Sequence, residues 1–228
     1  MINKKEILSN FSGIAPVFAI PNFVMFPKTG YSFNIFETRY KELINDILST
    51  DKLFCISLLK SDLDDGHEYV FDYYNIATLC HIVDYEKLKN GNYNIIVSGL
   101  EKVKIKKELN SDKKYKFVDL EILNDNNFVD REQEKRKKMI NKFISLFSSK
   151  DDSINLNAID TSMISTEILT NLGSLILPLE SIDKQKLLEL DDIELRLEVL
   201  CQFMDSELKI ENDLSQFDQI IPTNIKWN

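Results

Sequence analysis

Near residues 124–127 the hydrophobic pattern of this 228-residue chain changes its period, and that change restricts the possible folds more than any other feature. Before it, apolar and polar residues alternate in short runs, as in VDLEI at residues 118–122. After it, apolar residues recur every three or four positions, which is the spacing of one helix face. Because each period suits one kind of regular structure, the sequence predicts an α+β chain with a β-rich first part and an all-helical second part.

The first part contains seven short runs of β character with turns between them. They cover residues 17–20, 31–35, 53–59, 74–84, 93–100, 103–109 and 115–123. Runs with one apolar and one polar face are typical of an antiparallel sheet over a single core, so we expect a curled sheet or a barrel. One helix, predicted over residues 37–48, interrupts the strands.

The dipeptide Asn90-Gly91 is the clearest turn signal in this part. A type I′ hairpin requires positive φ at both central residues, and Asn-Gly tolerates that conformation best. The sequence therefore predicts a type I′ hairpin that joins a strand ending near Leu88 to one beginning near Tyr93.

Four helices are predicted in the second part of the chain. They cover about residues 129–148, 162–173, 181–190 and 191–208. The first of them is polar as far as residue 138 and apolar along one stripe only after it. We expect a β-rich subdomain over residues 1–127, a helical bundle over residues 128–210 and a tail without clear period over residues 211–228.

Capping residues set the expected limits of the later helices. Gly173 is placed to end the second helix as a C-cap, and Ser181 is placed to cap the third. Asp191 and Glu194 have the spacing of a capping box at the start of the fourth.

Charge and cysteine content limit the classes of partner. The net charge of −9 opposes binding to nucleic acid or to an anionic membrane, and the one basic run, residues 131–138, is interrupted by Glu132 and Glu134. No apolar run approaches the roughly 20 residues of a membrane span, and no secretory signal is evident. Three widely spaced cysteines fit reduced thiols better than a disulfide framework, so a cytoplasmic location is expected.

Catalytic and metal-binding patterns are weak throughout the sequence. No Gly-Lys dipeptide is present, which argues against a phosphate-binding loop. His81 is interpreted as a strand histidine, and His67, with the acidic residues around it, as part of a solvated loop whose glycine lies out of register for a calcium site. Cys55 and Cys201 lie in apolar patterns typical of inert thiols. We expect no catalytic residue, no metal and no cofactor.

The stretch NFVMFP at residues 22–27 offers two interpretations. An exposed patch of Phe23, Val24, Met25 and Phe26 would suit adaptable polypeptide binding, since Met and Phe bury large areas without demanding one partner geometry. The alternative is a strand buried on both faces or covered by the helical part.

Glu37 and Arg39, which follow the next run, are also candidates for polypeptide contact. The alternative is structural. Glu37 would then complement the dipole of the first helical turn, Arg39 would pair internally and Tyr40 would pack.

Residues 16–40, PVFAIPNFVMFPKTGYSFNIFETRY, resemble the opening of the amino-terminal domain family of Lon proteases. In that family a strand, a Pro-Asn turn, a short apolar stretch, a Phe-Pro break and a second strand precede Phe-Glu-x-Arg-Tyr. Residues 51–59, 90–104 and 186–208 are similar to the family's next strand, its hairpin and its closing helices. The sequence departs from the pattern at Ala77, where glycine is usual, and at Lys102, where arginine is usual.

The resemblance implies an N-terminal β pseudo-barrel of the PUA-like kind with one short helix, followed by a small C-terminal helical bundle. It also implies a non-catalytic module that binds unfolded or partly folded polypeptides, without the ATPase and Ser-Lys peptidase of full-length family members. The alternative is a regulatory or scaffold protein whose polar helix, residues 129–138, docks a folded partner such as a protease or an adaptor. The sequence leaves the oligomeric state open.

Overall fold

A computed structural model describes residues 4–9, 11–61, 72–123, 133–148 and 165–220 of the chain. The chain divides into two compact units. The first comprises Met1–Phe128 with Glu167–Asp192, and the second comprises Val129–Thr166 with Ile193–Asn228. The limits expected from the sequence, 1–127, 128–210 and 211–228, stay a prediction, and the compact units differ from them by placing residues 167–192 with the strands.

The described elements, seven strands and six helices, follow one another in a fixed order. They are α1 Lys4–Ser9, β1 Ile14–Ile20, β2 Gly30–Ile35, α2 Thr38–Leu48, β3 Leu53–Ser61, β4 Asp72–Tyr73, β5 Ile76–Lys87, β6 Tyr93–Leu109, β7 Phe117–Ile122, α3 Gln133–Ser148, α4 Thr166–Ile176, α5 Ser181–Glu189 and α6 Ile193–Ile220. Two predicted runs, 93–100 and 103–109, are parts of the one long strand β6.

Five strands of the first unit close into a ring. The order β1-β7-β6-β5-β3 is antiparallel throughout, and parallel pairing of β1 with β3, from Val17 opposite Cys55 to Ile20 opposite Leu58, completes the circle. β2 pairs with the first half of β6 and β4 pairs with β3, outside the ring. The α+β class with a β pseudo-barrel is therefore confirmed.

Strand β3 shows how the first unit holds two apolar cores. Leu53 and Cys55 belong to a cluster to which all five ring strands contribute, so this cluster fills the barrel. Phe54 and Ile56, on the opposite face, belong to a second cluster that includes four residues of α2: Tyr40, Leu43, Ile44 and Ile47. Successive strand residues point to opposite faces, and burial on both faces explains why this run is apolar without alternation.

The hairpin between β5 and β6 differs from the predicted type I′ turn. Gly91 has φ of 80°, but Asn90 is not among the residues with positive φ. The amide of Gly91 donates to the carbonyl oxygen of Leu88 at 2.9 Å, and the amide of Leu88 donates to the carbonyl oxygen of Asn92 at 2.8 Å. These bonds and the single left-handed residue match a three-residue loop, in which only the last position needs glycine. The predicted turn type is wrong, and the predicted position is right.

Three expected helix caps are also wrong. Gly173 lies inside α4, where its carbonyl accepts from the amide of Leu177 at 3.1 Å, because the residues after it remain helical up to the break before Pro178. The N-cap of α5 is Glu180, which makes Ser181 the first helical residue. α6 begins at Ile193, so Asp191 lies one position too early for the capping box.

In the second unit, α3 packs against α6. Lys142 of α3 pairs with Asp205 of α6 at 2.6 Å and donates to the carbonyl oxygen of Cys201 at 3.2 Å. Four side chains of the expected stripe are buried: Ile193, Leu197, Leu200 and Met204. Residues 129–132 of the predicted first helix and residues 162–164 of the predicted second helix lie outside the described residues, while α6 runs to Ile220, into the range expected to be a tail. None of the described helices has the length and apolar character needed to cross a bilayer.

Candidate functional site

The segment at residues 22–27, one of whose two interpretations was an exposed apolar patch, is mostly buried. Val24, Met25 and Phe26 expose 2%, 1% and 0% of their surface, and only Phe23 is partly exposed. The expectation of an exposed patch is wrong for the three buried residues, because they pack in the interior of the first unit. Polypeptide binding at Val24, Met25 and Phe26 stays a prediction with no exposed surface in this structure to support it.

Four contacts, rather than a strand ladder, hold this segment in position. The Thr78 hydroxyl donates to the carbonyl oxygen of Met25 at 2.6 Å, and the Thr29 hydroxyl donates to that of Phe26 at 2.7 Å. The amide nitrogen of the Asn171 side chain donates to the carbonyl oxygen of Pro27 at 2.9 Å. At Gly99 an added Cβ would lie 2.3 Å from the carbonyl oxygen of Phe26, so β6 passes the segment at a distance that only glycine allows.

Sequence reasoning missed these anchoring residues. Thr29, Thr78 and Asn171 are short polar residues without a motif, and no local pattern shows that they meet one segment. Gly99 was noted only as part of the resemblance. Buried carbonyl groups require hydrogen-bond partners. The one available clue was therefore that an apolar segment buried outside the strand ladders would need donors from elsewhere in the chain.

Three aromatic rings form a partly exposed surface beside strand β2. Phe23 lies 4.6 Å from Tyr31 and 5.1 Å from Phe33 between ring centroids, and Tyr31 lies 4.9 Å from Phe33. Tyr31 is 43% exposed, while Phe23 and Phe33 are half-buried against the α2 core. We call Phe23, Tyr31 and Phe33 the aromatic rim. Of these, only Phe23 was a predicted site residue, although YSF in a strand run places its two aromatics on one face.

Glu37 and Arg39 lie just beyond the end of β2. Glu37 is the N-cap residue of α2, and its carboxylate accepts from Arg39 at 2.9 and 3.0 Å. The Arg39 guanidinium also lies 4.5 Å from the ring centre of Tyr40, whose hydroxyl donates to the carbonyl oxygen of Ala19 at 2.8 Å. The structural alternative is confirmed for Arg39, which pairs with Glu37, and for Tyr40, which packs, but Glu37 lies just before the first helical turn and not in it. A role of Glu37 and Arg39 in polypeptide contact stays a prediction.

A groove of about 520 Å³ lies on the face of β2, β6 and β5 that is opposite the α2 core. Its walls and floor include six residues whose side chains lie on this face: Ser32, Asn34, Asp84, Glu86, Asn94 and Ile96. Asn34 donates to the side chain of Asn94 at 2.7 Å across the strands, and Ile96 is 47% exposed. The groove therefore has an apolar floor with amide groups on it and carboxylates on one wall.

The described histidine and cysteines have the environment of structural residues. Burial lowers the pKa of His81, which keeps its imidazole neutral near pH 7, and the cation of Lys52 acts in the same direction. Burial raises the pKa of the Cys55 and Cys80 thiols well above the usual range, so neither forms a thiolate readily. In the described ranges no cluster of His, Cys, Asp or Glu could hold a metal ion, and His67 lies outside them.

Lys102, at one departure from the family pattern, is almost fully buried. Its ammonium group donates to the Asp191 carboxylate at 2.7 Å and to the carbonyl oxygen of Leu190 at 3.3 Å. The lysine thus ties the chain after α5 to strand β6. Ala77, at the other departure, is fully buried in β5 and does not adopt positive φ.

Comparison with a family model identifies one match over most of the chain. Residues 14–206 match the model of the ATP-dependent protease La (LON) substrate-binding domain. The matched range includes both compact units.

Curated relatives are full-length Lon proteases. The chain is 25% identical over 213 residues to Lon protease of Buchnera aphidicola subsp. Acyrthosiphon pisum, a match that covers 92% of this chain and 27% of that protein. It is 30% identical over 169 residues to Lon protease of Escherichia coli strain K12, covering 69% of this chain and 20% of that protein. The chain thus spans about a quarter of the length of the curated relatives it matches.

Two solved structures share the fold. The N-terminal domain of Mycobacterium avium complex Lon protease aligns with a TM-score of 0.68 at 13% identity, covering 84% of this chain and 98% of that one. The Lon N-terminal domain protein from Xanthomonas campestris aligns with a TM-score of 0.59 at 18% identity and the same coverages. At these identities the likeness establishes the fold.

Proposed function

The chain belongs to the family of the Lon substrate-binding domain, and from that premise we propose that it binds unfolded or partly folded polypeptides through the aromatic rim without catalysing a reaction. The observation that carries the proposal is the rim itself. Three mutually contacting rings keep surface exposed at the border of a closed barrel, while the neighbouring apolar residues Val24, Met25 and Phe26 are buried.

The rim has the physical properties of an adaptable polypeptide site. Aromatic side chains bury large areas with few rotatable bonds, so they contribute affinity at low entropic cost. Phe33 lies 5.7 Å from Phe18 of the α2 core between ring centroids, which holds the rim on a rigid support. A client would need only apolar side chains and an extended backbone, which is the chemistry that unfolded chains share.

The surrounding groups add polar contacts at one end of the rim. Glu37 and Arg39 form an ion pair with each other. Because this pair lies on an exposed surface, breaking it costs little free energy, and either side chain can bind a group of the client instead. Phe36, which is 65% exposed between β2 and α2, extends the apolar surface towards this pair. Together these residues form the end of the proposed site.

Docking of a folded protease or adaptor through the polar helix remains the alternative. Glu134 pairs with Lys137 at 3.7 Å on the exposed face of α3, an arrangement that a solvated helix would also have. A cytoplasmic location likewise stays an expectation from the sequence.

Paired serine substitutions test the proposed function. Phe23→Ser with Tyr31→Ser removes two of the three rings of the aromatic rim, and we expect the affinity for a permanently unfolded, carboxymethylated reporter protein to fall at least about tenfold. The matched control is Ile14→Ser with Ile122→Ser, which removes two apolar side chains that are 45% and 38% exposed on β1 and β7. Binding is measured by fluorescence anisotropy, and circular dichroism checks the fold. Unchanged reporter binding by a folded rim variant would overturn the proposal.

A further inference from the structure

We propose that the free edge of strand β2 accepts an extended segment of the bound polypeptide as an additional strand, and that it favours segments whose apolar residues alternate with lysine or arginine. This inference rests on the proposed function, since it specifies the mode and selectivity of the same site. Three observations on the described residues carry it: a strand edge with no partner among them, aromatic rings on one face of that edge, and carboxylates that have no cationic partner among them on the other face.

The unpaired edge follows from the register of β2. Within the described residues β2 pairs only with β6, with Tyr31 opposite Val97 and Ser32 opposite Ile96. Just before β2, the amide of Gly99 donates to the carbonyl oxygen of Thr29 at 2.9 Å, so in an antiparallel ladder the odd-numbered residues bond to β6. The backbone groups of the even-numbered residues therefore point away from β6. These residues are Gly30, Ser32 and Asn34, and all three are exposed.

In the part of the chain that the structure describes, this edge lacks the features that usually prevent strand addition. Natural sheets protect an exposed edge with a charged residue, a proline, a bulge or a covering segment. β2 reads GYSFNI and has neither charge nor proline, and its pairing with β6 runs through six residues without a register shift. An unprotected edge of this length next to exposed aromatic rings marks a place where another strand can bind.

One face of an added strand would contact the aromatic rim. Tyr31 and Phe33 project to the same side of β2, and Phe23 lies against both. Side chains on a neighbouring strand lie about 5 Å from these positions, so every second residue of the client would rest on or near a ring. That face selects apolar and aromatic residues.

The other face would look across the groove to two carboxylates. Ser32, Ile96 and Asp84 form one row across the sheet, and Asn34, Asn94 and Glu86 form the next. Among the described residues, the Asp84 carboxylate accepts a hydrogen bond only from the backbone amide of Tyr85, at 2.9 Å. The Glu86 carboxylate has no hydrogen bond or ion pair with any of them.

Strand spacing decides which client residues fit this face. An added strand would lie three inter-strand spacings from β5, which is about 14 Å between the two backbones. An extended lysine or arginine side chain from the added strand and a carboxylate side chain from β5 together span most of that distance. The intervening Ser32 is small, and Ile96 offers an apolar floor for an aliphatic stem. The chain's net charge of −9 acts in the same direction. The client complementary to both faces is therefore an extended segment of alternating apolar and basic residues.

Peptide binding to the full chain tests the proposal. Five labelled ten-residue peptides share alternating phenylalanine and valine positions. The residues between them are all lysine in one peptide, all serine in the second and all glutamate in the third, and the last two are lysine peptides with N-methylated amides along one edge. N-methylation is made in both registers, since either edge of the peptide could face β2. We expect the lysine peptide to bind at least about tenfold more tightly than the glutamate peptide and than the N-methylated peptide that blocks pairing. The serine peptide should lie between them.

Two variants with matched controls separate the contributions. Ser32→Pro removes an amide that points away from β6, and we expect it to lower lysine-peptide affinity about tenfold, whereas Ser32→Ala keeps the amide and should bind normally. Asp84→Asn with Glu86→Gln should lower the preference for lysine over glutamate peptides about fivefold. The control pair is Asp119→Asn with Glu121→Gln on β7.

Each outcome has one meaning. Equal binding of methylated and unmethylated lysine peptides overturns strand addition, even if Ser32→Pro fails to fold, and leaves the aromatic rim in place. Equal binding of lysine and glutamate peptides overturns the basic preference. Self-association of the free chain that Ser32→Pro abolishes would make a second copy the occupant and overturn the proposal. If neither the peptides nor the unfolded reporter binds, the proposed function itself fails.

Discussion

Two neighbouring segments of the first unit, residues 22–27 and residues 30–36, have similar apolar content, but the first is buried along residues 24–27 and the second is fully buried only at Ile35. The first holds Phe26 at 0% exposure, and the second holds Phe36 at 65%. Among the described residues the first has no strand partner, and its carbonyl groups accept hydrogen bonds from the side chains of Thr29, Thr78 and Asn171. The second has a complete ladder with β6 on one side, and no described strand pairs with its other side. The contrast teaches that backbone partners, rather than hydrophobicity, decide which of two apolar segments becomes a surface.

The largest effect expected from this contrast is on stability. Phe26→Ala removes a fully buried ring and should lower the free energy of unfolding by about 3–5 kcal/mol. Phe36→Ala is the matched change on the exposed segment and should alter it by less than about 0.5 kcal/mol. Urea titrations followed by circular dichroism measure both values. Similar losses for the two variants would contradict the assignment of one segment to the core and the other to the surface.

A second prediction concerns the close passage of β6 over the buried segment. Gly99→Ala would place a Cβ 2.3 Å from the Phe26 carbonyl oxygen, so backbone must shift, and we expect a loss of about 2–3 kcal/mol. Gly30→Ala, at the edge strand, meets its nearest neighbour at 3.7 Å and serves as the control, with an effect below about 1 kcal/mol. The same titrations apply. A neutral Gly99→Ala would mean that the segment is not held against β6.

The buried hydrogen bonds predict a smaller loss. Thr78→Val keeps the shape of a fully buried side chain but leaves the Met25 carbonyl oxygen without its 2.6 Å donor, which should cost about 1–2 kcal/mol. The exposed Thr38, the first residue of α2, gives the control Thr38→Val, which should be nearly neutral. Equal effects at the two positions would show that the anchor contributes nothing.

The smallest effect is expected for a polar anchor at the surface, and it depends on pH. Hydrogen bonds from Lys113 and Tyr115 hold the pKa of the Asp46 carboxyl below its usual value, at donor distances of 2.8 Å each. A lowered folded-state pKa stabilises the protein above the unfolded-state pKa, near 4, and this contribution is lost as the pH falls through the folded-state value. Asp46→Asn should therefore destabilise at pH 7 by less than about 1 kcal/mol, because the site is largely solvated.

Unfolding of Asp46→Asn at several pH values checks the sign. The difference from the native sequence should shrink below pH 4, while at pH 7 the exposed control Asp112→Asn should alter the free energy of unfolding by less than about 0.5 kcal/mol. A difference that grows as the pH falls would contradict the proposed ion pair.

Sequence reasoning succeeded where the signal is local. The strand runs, the α2 helix from residue 38 to 48 and the buried stripe of α6 follow from periodicity, because each period places apolar residues on one face. The wrong predictions fall at positions where several local backbone conformations have similar free energy. Asn90-Gly91 permits two loop types, and Gly173 can end a helix or continue one, so the neighbouring structure decided between them.

The candidate site shows the same division. Phe23 was predicted and lies in the aromatic rim, whereas Tyr31 and Phe33 were seen only as strand residues. The composition of Val24, Met25 and Phe26 allowed both a surface patch and a buried segment. Their burial depends on Thr29, Thr78, Gly99 and Asn171, three of which lie more than 50 residues away in the chain, and no local pattern reports such contacts.

Local periodicity and motifs read along the amino-acid sequence were enough to give the change from strands to helices, the apolar faces of α2 and α6, and the family. Only the tertiary structure revealed that β1 and β3 close the barrel in parallel, that residues 24–26 become core, and that β2 pairs with no described strand except β6. The physical reason is that a backbone group must find a hydrogen-bond partner in three dimensions, and which partner is within reach is settled only when distant residues have come together.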